Sequence, residues 1–212
     1  IMLKEVKNLK VIVIGGGPAG MLSAISAKRQ GNNVILLEKN NRLGKKMSIT
    51  GKGRCNITSS LENMSDFIAN TPGNGKFLYS AFQNFTNKDI LELIDIPTKN
   101  ERGNRVFPVS DRAEDVVEAL KRKLNGIEVK LETPVRHIIV KNNVAIGVET
   151  DKEKIYGDKI ILATGGLSYP TTGSTGDGYK MAKELGHTIV ELRPSLVALT
   201  ANENSINDCI AL

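Results

Sequence analysis

Three glycines and one acid carry the first chemical signal in this chain. Val11-Ile12-Val13-Ile14 runs into Gly15-Gly16-Gly17-Pro18-Ala19-Gly20; a helix-like segment to Arg29 then leads to a second apolar run from Asn33 to Leu37, closed by Glu38. Strand, glycine turn, helix, strand and terminal acid are the order a dinucleotide-binding unit requires. Gly15 permits the tight turn, Gly17 lets backbone N–H groups approach a pyrophosphate, and Gly20 lets the helix lie close to the sheet. The helix N-terminus then offers its dipole and free N–H groups to phosphate charge. Glu38 is placed to accept hydrogen bonds from ribose hydroxyls. The alternative is a glycine-rich turn in an ordinary βα unit, but the flanking elements all fit the dinucleotide reading.

A second cluster follows. Lys45, Lys46, Lys52 and Arg54 crowd around Gly44, Gly51 and Gly53 in a stretch too rich in glycine and base for a regular element. Cations and exposed N–H groups in one loop suit a diphosphate or an anionic substrate; a solvated basic turn accounts for them as well. Arg102 and Arg105, in the polar loop Glu101 to Pro108, fit either solvation or the clamping of a carboxylate, and spacing does not choose. His137 lies in a predicted strand with no second ligand beside it, so it reads as a partly buried structural histidine. His187 reads as a partner of a helix C-terminus. Cys55 and Cys209 stand far apart, with no CxxC and no histidines at ligand spacing. No metal site is expected, Cys55 reads as a packed residue, and a reducing cytoplasm is the simplest home.

The elements that must position these groups follow from periodicity. Gly31 is the natural stop of the first helix. From Ser59 to Asn125 the pattern is helical: Phe77, Leu78, Ala81, Phe82 and Phe85 make a packing face, and Thr86 or Asn87 caps a short helix that Pro97 ends. A third helix runs from Asp111 to Leu124, with Asp111 and Glu114 in capping-box spacing. Val129-Leu131, Val135-Lys141, Val144-Glu149 and Lys154-Tyr156 are short alternating runs, predicting an antiparallel meander. Lys159 to Ala163 is an apolar run of the kind that forms a central parallel strand buried on both faces, and Gly165 and Gly166 allow a ligand close to its carboxyl end. Ser168 to Thr175 is a polar turn, and Gly176-Asp177-Gly178 opens a helix that Gly186 stops.

Composition sets the frame. The chain has 212 residues, 40% of them hydrophobic, enough for an ordinary globular core. No apolar run reaches a membrane span, and Ile1 to Lys10 is too charged for a secretory signal. The net charge of +6 raises nucleic acid as a partner, yet the basic residues are scattered, aromatics are 4% and Trp is absent. The expectation is therefore a small-molecule substrate, with neither nucleic acid nor membrane as partner and the oligomeric state open.

Several strings resemble one family. Gly-Gly-Gly-Pro-Ala-Gly with Glu38, the Thr50-Gly-Lys-Gly-Arg-Cys-Asn56 loop, Gly103-Asn-Arg-Val-Phe-Pro108, Ala163-Thr-Gly-Gly-Leu-Ser-Tyr-Pro170 and Gly173-Ser-Thr-Gly-Asp-Gly178 are similar to the aminoacetone-oxidase-like (YhiN/BaiN) FAD-binding flavoproteins, within the two-dinucleotide-binding flavoproteins. The resemblance implies an α/β fold: a Rossmann-like, three-layer FAD-binding domain over 1–199, with a helical insertion at 58–125 and the antiparallel meander at 127–158. It implies FAD as cofactor, with NAD(P)H as a transient electron donor. The implied cofactor residues are Gly15, Gly17, Pro18, Ala19, Gly20, Glu38, Lys39, Lys45, Lys46, Gly51, Arg54, Cys55, Asn56, Val135 and Thr164 to Gly166 (Thr164, Gly165, Gly166). The implied activity is that of an FAD-dependent oxidoreductase acting on small amines or on steroid-like acids, and the alternative is an inactive dinucleotide-binding module. No catalytic residue is assigned. Family members continue past a string like Pro194 to Leu199 into a second domain, so 200–212 is expected to be the truncated start of that domain or an irregular tail.

Overall fold

A computed structural model describes residues 8–193. The string Pro194 to Leu199, the tail 200–212 with Cys209, and residues 1–7 of the N-terminal segment lie outside the described residues. The strands are β1 (Lys10–Ile14), β2 (Asn33–Leu37), β3 (Thr58–Ser59), β4 (Thr98–Glu101), β5 (Arg105–Pro108), β6 (Glu128–Lys130), β7 (Val135–Lys141), β8 (Val144–Thr150), β9 (Lys154–Tyr156) and β10 (Lys159–Leu162). The helices are α1 (Pro18–Arg29), α2 (Met64–Ala69), α3 (Tyr79–Asn84), α4 (Asn87–Ile94), α5 (Ala113–Lys123) and α6 (Asp177–Glu184).

Successive side chains of a strand point to opposite faces, so β1 and β2 divide their apolar residues between two cores. Val11, Val13, Val34 and Leu36 meet Met21, Ala24 and Ile25 of α1 and Val116, Val117 and Leu120 of α5. Ile12, Ile14, Ile35 and Leu37 meet Val135 and Val148 of the meander, Ile155 and Met181. Each such valine, leucine, isoleucine or methionine side chain, once fully buried, contributes about 1.5–3 kcal/mol. The result is three layers: helices, a parallel sheet in the order β10-β1-β2-β6, and the antiparallel sheet β7-β8-β9.

Five expectations from the sequence change. The run around Val129 leaves the meander: β6 pairs parallel to β2, with Leu36 opposite Val129. β10 is an edge strand among the described residues and only partly buried, so its apolar run does not mark a centre. The segment Glu101 to Pro108 is largely an antiparallel hairpin of β4 and β5, and β3 adds to it; Arg105 Nε donates to the Arg102 carbonyl 2.8 Å away. The aromatic face of Lys76 to Phe85 forms a 3-10 turn followed by α3, with Phe77 81% exposed. Helix α5 begins without the Asp111–Glu114 box, because Asp111 takes a left-handed φ of 54° and turns its carboxylate to Lys99 and Arg54. The Thr86 cap does form, with Asp89 completing a reciprocal box.

His137 also differs from its reading. It is exposed, and its Nδ1 lies 3.0 Å from Glu184 Oε2 on α6. At His187 the backbone N–H, rather than the ring, closes the end of α6 by donating to the Ala182 carbonyl at 3.0 Å.

Candidate functional site

The carboxyl ends of β1, β2 and β10 open onto one cavity of about 450 Å³. That is where an open parallel sheet leaves a crevice, and the size is ordinary for a ligand site, about 300–1,000 Å³. Its floor is the glycine turn. Gly15 has φ +106°, and its N–H donates to the Leu37 carbonyl at 2.8 Å, tying the turn to β2. A Cβ on Gly20 would collide with the Gly15 carbonyl oxygen, so α1 lies on the turn itself. A Cβ on Gly17 would meet nothing, because that face is open. Helix α1 starts at Gly17 without a side-chain cap and has no acid in its first turn. Its first N–H groups therefore face the cavity without an intrahelical acceptor.

Glu38 is 6% exposed, and its carboxylate is held from both sides. Oε2 accepts from the Gly16 N–H at 2.5 Å; Oε1 accepts from the Asn40 N–H at 2.8 Å and from Asn40 Nδ2 at 2.6 Å. The acid thus fixes the turn to the end of β2 while still bordering the cavity. Beyond β6, the Thr133 N–H donates to the Glu38 carbonyl at 2.9 Å, which brings Thr133 and Val135 to the same rim.

The opposite wall comes from the segment before α6. Lys39 Nζ donates to Asp177 Oδ2 and to Thr175 Oγ1, each at 2.6 Å, and Thr175 Oγ1 donates to Asp177 Oδ1 at 2.9 Å. Asn40 Nδ2 also reaches the Thr172 carbonyl at 3.2 Å. Burial pushes the Asp177 carboxyl up, but the hydrogen bonds from Lys39 and Thr175 outweigh it and hold the group below its ordinary value of 3.8. A carboxylate with a depressed folded value stabilises the protein above its unfolded value and loses that contribution as the pH falls through the folded one. Asp177→Asn is therefore expected to cost about 0.5–1 kcal/mol at pH 7, and urea melts in steps down to pH 3 should show the gap to wild type closing.

The basic loop divides. Lys45 and Lys46 line the cavity, Lys45 Nζ lying 3.4 Å from Asn40 Oδ1 and Lys46 Nζ 3.1 Å from Ser168 Oγ. Burial lowers the Lys46 ammonium from its ordinary range. Arg54 points elsewhere. Its guanidinium lies 4.2 Å from the Phe107 ring centroid, and Nη1 donates to Glu101 Oε1 at 2.8 Å and to Asp111 Oδ1 at 3.3 Å. The hydrogen bond to Glu101, with Asp111 beside it, holds Arg54 above the usual arginine value despite partial desolvation. Gly51 and Lys52 form a left-handed turn, and Gly51 rests against Phe107.

Of the other expected residues, Gly15, Gly17, Pro18, Ala19, Lys39, Thr164 and Gly165 line the cavity. Gly20 lies behind the turn, and Gly166 stands beside the Tyr179 hydroxyl rather than on the lining. Cys55 and Asn56 border a second cavity of about 220 Å³, which shares Pro18 and Lys46 with the first. Cys55 is buried, and desolvation raises its thiol, against a hydrogen bond with Thr50. Sequence reasoning missed Gly16, Asn40, Thr172, Ser174 and Tyr179 as cavity residues. Gly16, inside the glycine triplet, and Ser174, inside the Gly173 to Gly178 string, carried a local signal.

The sequence pattern of the HI0933-like protein Rossmann domain matches residues 9–202. The chain belongs to this family. Other HI0933-like proteins share its length of match: it is 33% identical over 201 residues to a 3-dehydro-bile acid delta(4,6)-reductase from Clostridium scindens, covering 92% of this chain and 48% of that protein. It is 27% identical over 202 residues to a ribosomal RNA dihydrouridine synthase from Escherichia coli, covering 93% and 49%. The chain thus spans about half the length of these relatives. In fold, the HI0933-like domain is similar to the open conformation of a flavocytochrome c3 fumarate reductase, with a TM-score of 0.66 at 22% identity over 84% of this chain and 40% of that one. It is also similar to 3-ketosteroid-delta4-(5alpha)-dehydrogenase from Rhodococcus jostii RHA1, with a TM-score of 0.60 at 14% identity over 84% and 54%. Among the described residues, no group of three His, Cys, Asp or Glu could hold a metal ion, and no helix is long and apolar enough to cross a membrane.

Proposed function

We propose that this chain binds FAD in the larger cavity and forms the cofactor-binding part of a flavin-dependent reductase of carbon–carbon double bonds conjugated to a carbonyl. One observation carries the reading: the uncapped N-terminus of α1 and the buried Glu38 carboxylate face the same space at the ends of β1 and β2. Phosphate charge suits the first, and ribose hydroxyls the second. The glycine turn leaves Gly17 open for a pyrophosphate, so the residues present fit the dinucleotide. Bound FAD would supply hydride transfer; the protein supplies position and electrostatics. Gly17 and Ala19 would hold the pyrophosphate, Glu38 the adenosine ribose, and Val135 the adenine side. Pro18 and Lys46, with Cys55 and Asn56 beyond them, would flank the other half.

The names of the two relatives support this reaction class. A keto steroid acid with delta(4,6) double bonds and a uridine ring both present an alkene conjugated to a carbonyl, which accepts hydride because the oxygen takes up the charge. A second reading keeps the chemistry and changes the substrate to RNA. It is favoured by the dihydrouridine synthases of Escherichia coli and Haemophilus influenzae and by the net charge of +6, and it reopens what dispersed basic residues argued against. Cysteine usage fits a reducing cytoplasm as the setting.

The test is an absorption spectrum of the purified protein with FAD, followed by anaerobic addition of NADPH or NADH. A bound yellow flavin, bleached by the nucleotide and reoxidised by a conjugated enone or by uridine-containing RNA, is expected. A colourless protein that binds ADP-containing nucleotides without flavin sinks the FAD reading. Bound flavin that neither substrate reoxidises leaves only the binding module.

A further inference from the structure

The chain has five phenylalanines, four tyrosines and no tryptophan, and five of these rings fall between Phe67 and Phe85. They do not serve the two cores, which contain no aromatic residue. Helices α2 and α3 bury none of their own residues; the Phe67 and Phe82 rings, with centroids 5.4 Å apart, hold one helix to the other. That leaves Phe77, Tyr79 and Phe85, which are 81%, 51% and 43% exposed. Three large rings left to water on one short segment mark a contact surface.

The residues between the rings decide what would cover them. Asn74, Lys76, Ser80 and Gln83 are exposed, and no carboxylate occurs from Phe67 to Lys88. Glu62 and Asp66 precede this stretch, and Asp89, which follows it, is taken up by the cap of α4: the Thr86 N–H and Oγ1 each donate to its Oδ2 at 2.6 Å. The tip of the β4–β5 hairpin adjoins the start of that helix. Asn87 Nδ2 donates to the Ser59 and Leu61 carbonyls at 2.8 Å each, and the Ser60 N–H to the Asn104 carbonyl at 2.9 Å. Ion pairing in this region joins Arg54 and Lys99 to Glu101 and Asp111. Lys76, Lys88, Arg102 and Arg105 are exposed and have no carboxylate partner among the described residues. A face made to be covered by protein is depleted in lysine. Rings separated by amides and cations suit single-stranded RNA, whose bases stack on aromatic faces while its phosphates attract positive charge.

We propose, on the RNA reading of the substrate given above, that the outer face of α3 and the turn before it, with the β4–β5 hairpin tip, is a docking platform for single-stranded RNA. The small share of aromatic residues argued against nucleic acid, but those few are gathered on one surface. Helix α4 links the platform to the site: it starts beside Phe85 and sends Ile90 and Ile94 into the wall of the second cavity. An enzyme that works on a base takes it out of the stack, and the neighbouring bases then need a surface to rest on.

The test titrates a labelled, uridine-rich single-stranded RNA oligonucleotide with the purified full chain, without FAD, and reads anisotropy over a range of salt. Wild type should bind, and more weakly as salt rises. Phe77→Ala and Tyr79→Ala should each lose roughly tenfold in affinity, the scale of one stacked base. Phe77→Tyr and Tyr79→Phe keep the ring and should bind like wild type. Lys88→Gln and Arg105→Gln should weaken binding to all sequences alike and flatten the salt dependence. Tyr79→Trp adds a direct signal, because the chain has no tryptophan of its own and stacking on a base should quench the new emission. RNA bound equally well by both alanine variants, or an unquenched Tyr79→Trp, overturns the platform and leaves the RNA reading standing. Wild type that binds no RNA overturns both. Rings whose loss changes only the sedimentation of the protein assign the face to a second copy of this chain. If the alanine variants fail to fold, the Tyr79→Trp emission and the salt dependence of Lys88→Gln decide.

Discussion

Replacing Gly20 by alanine is expected to remove measurable FAD binding and to destabilise the protein by about 3 kcal/mol, the upper part of the usual overpacking range. The added Cβ would fall on the carbonyl oxygen of Gly15, a backbone atom that cannot swing aside. Gly15 cannot retreat. Its N–H is bonded to Leu37, and the space on its other side is filled by Ala163 and Thr164. Helix α1 must therefore lift from the sheet, which moves the N–H groups at its start and opens the core at Met21 and Ala24. Gly17→Ala is the control: its Cβ enters open space, and its backbone, at φ −77° and ψ −177°, suits alanine. It should melt like wild type and lose affinity alone. Thermal denaturation with a parallel FAD titration separates the two, and a Gly20→Ala protein that folds and binds normally would refute the close approach of α1 to the turn.

Glu38→Gln should weaken FAD binding by roughly 10–100-fold, equivalent to the about 1.5–3 kcal/mol that a hydrogen bond to a charged group contributes. The amide has nearly the shape of the acid, so the effect isolates charge and acceptor capacity. In wild type both oxygens accept, one from Gly16 and the other twice from Asn40. A glutamine must turn its NH₂ towards one of these donors. Either the turn loses its tie to β2, or Asn40 loses its tie to Glu38, and the ribose meets a weaker acceptor. Isothermal titration at pH 7 reads the change; equal affinities would mean that Glu38 serves only the turn.

Much of this was legible in local sequence. The glycine turn, α1, β2 and Glu38 follow from a motif whose residues are neighbours in the chain, and the alternation of Val11, Ile12, Val13 and Ile14 already implies two cores. The partners of strands were not legible. Thr98 to Glu101 is polar and becomes a strand only because β5 lies beside it, while Val129 alternates like the meander yet pairs with Leu36. Helical spacing at Phe77, Phe82 and Phe85 shows that a face exists, but cannot show that anything covers it; Phe85 is 43% exposed.

The sequence by itself determined that an apolar strand, a tight glycine turn, a helix start and an acid come together, because those residues interact over a few positions and need no distant partner. Only the tertiary structure decided which charges remain available to a ligand. Lys39 meets Asp177 across 138 positions, Arg54 meets Glu101 across 47, and Lys46 is left with Ser168 across 122. A cation's chemistry depends on the nearest opposite charge, and folding, rather than spacing in the chain, chooses that neighbour.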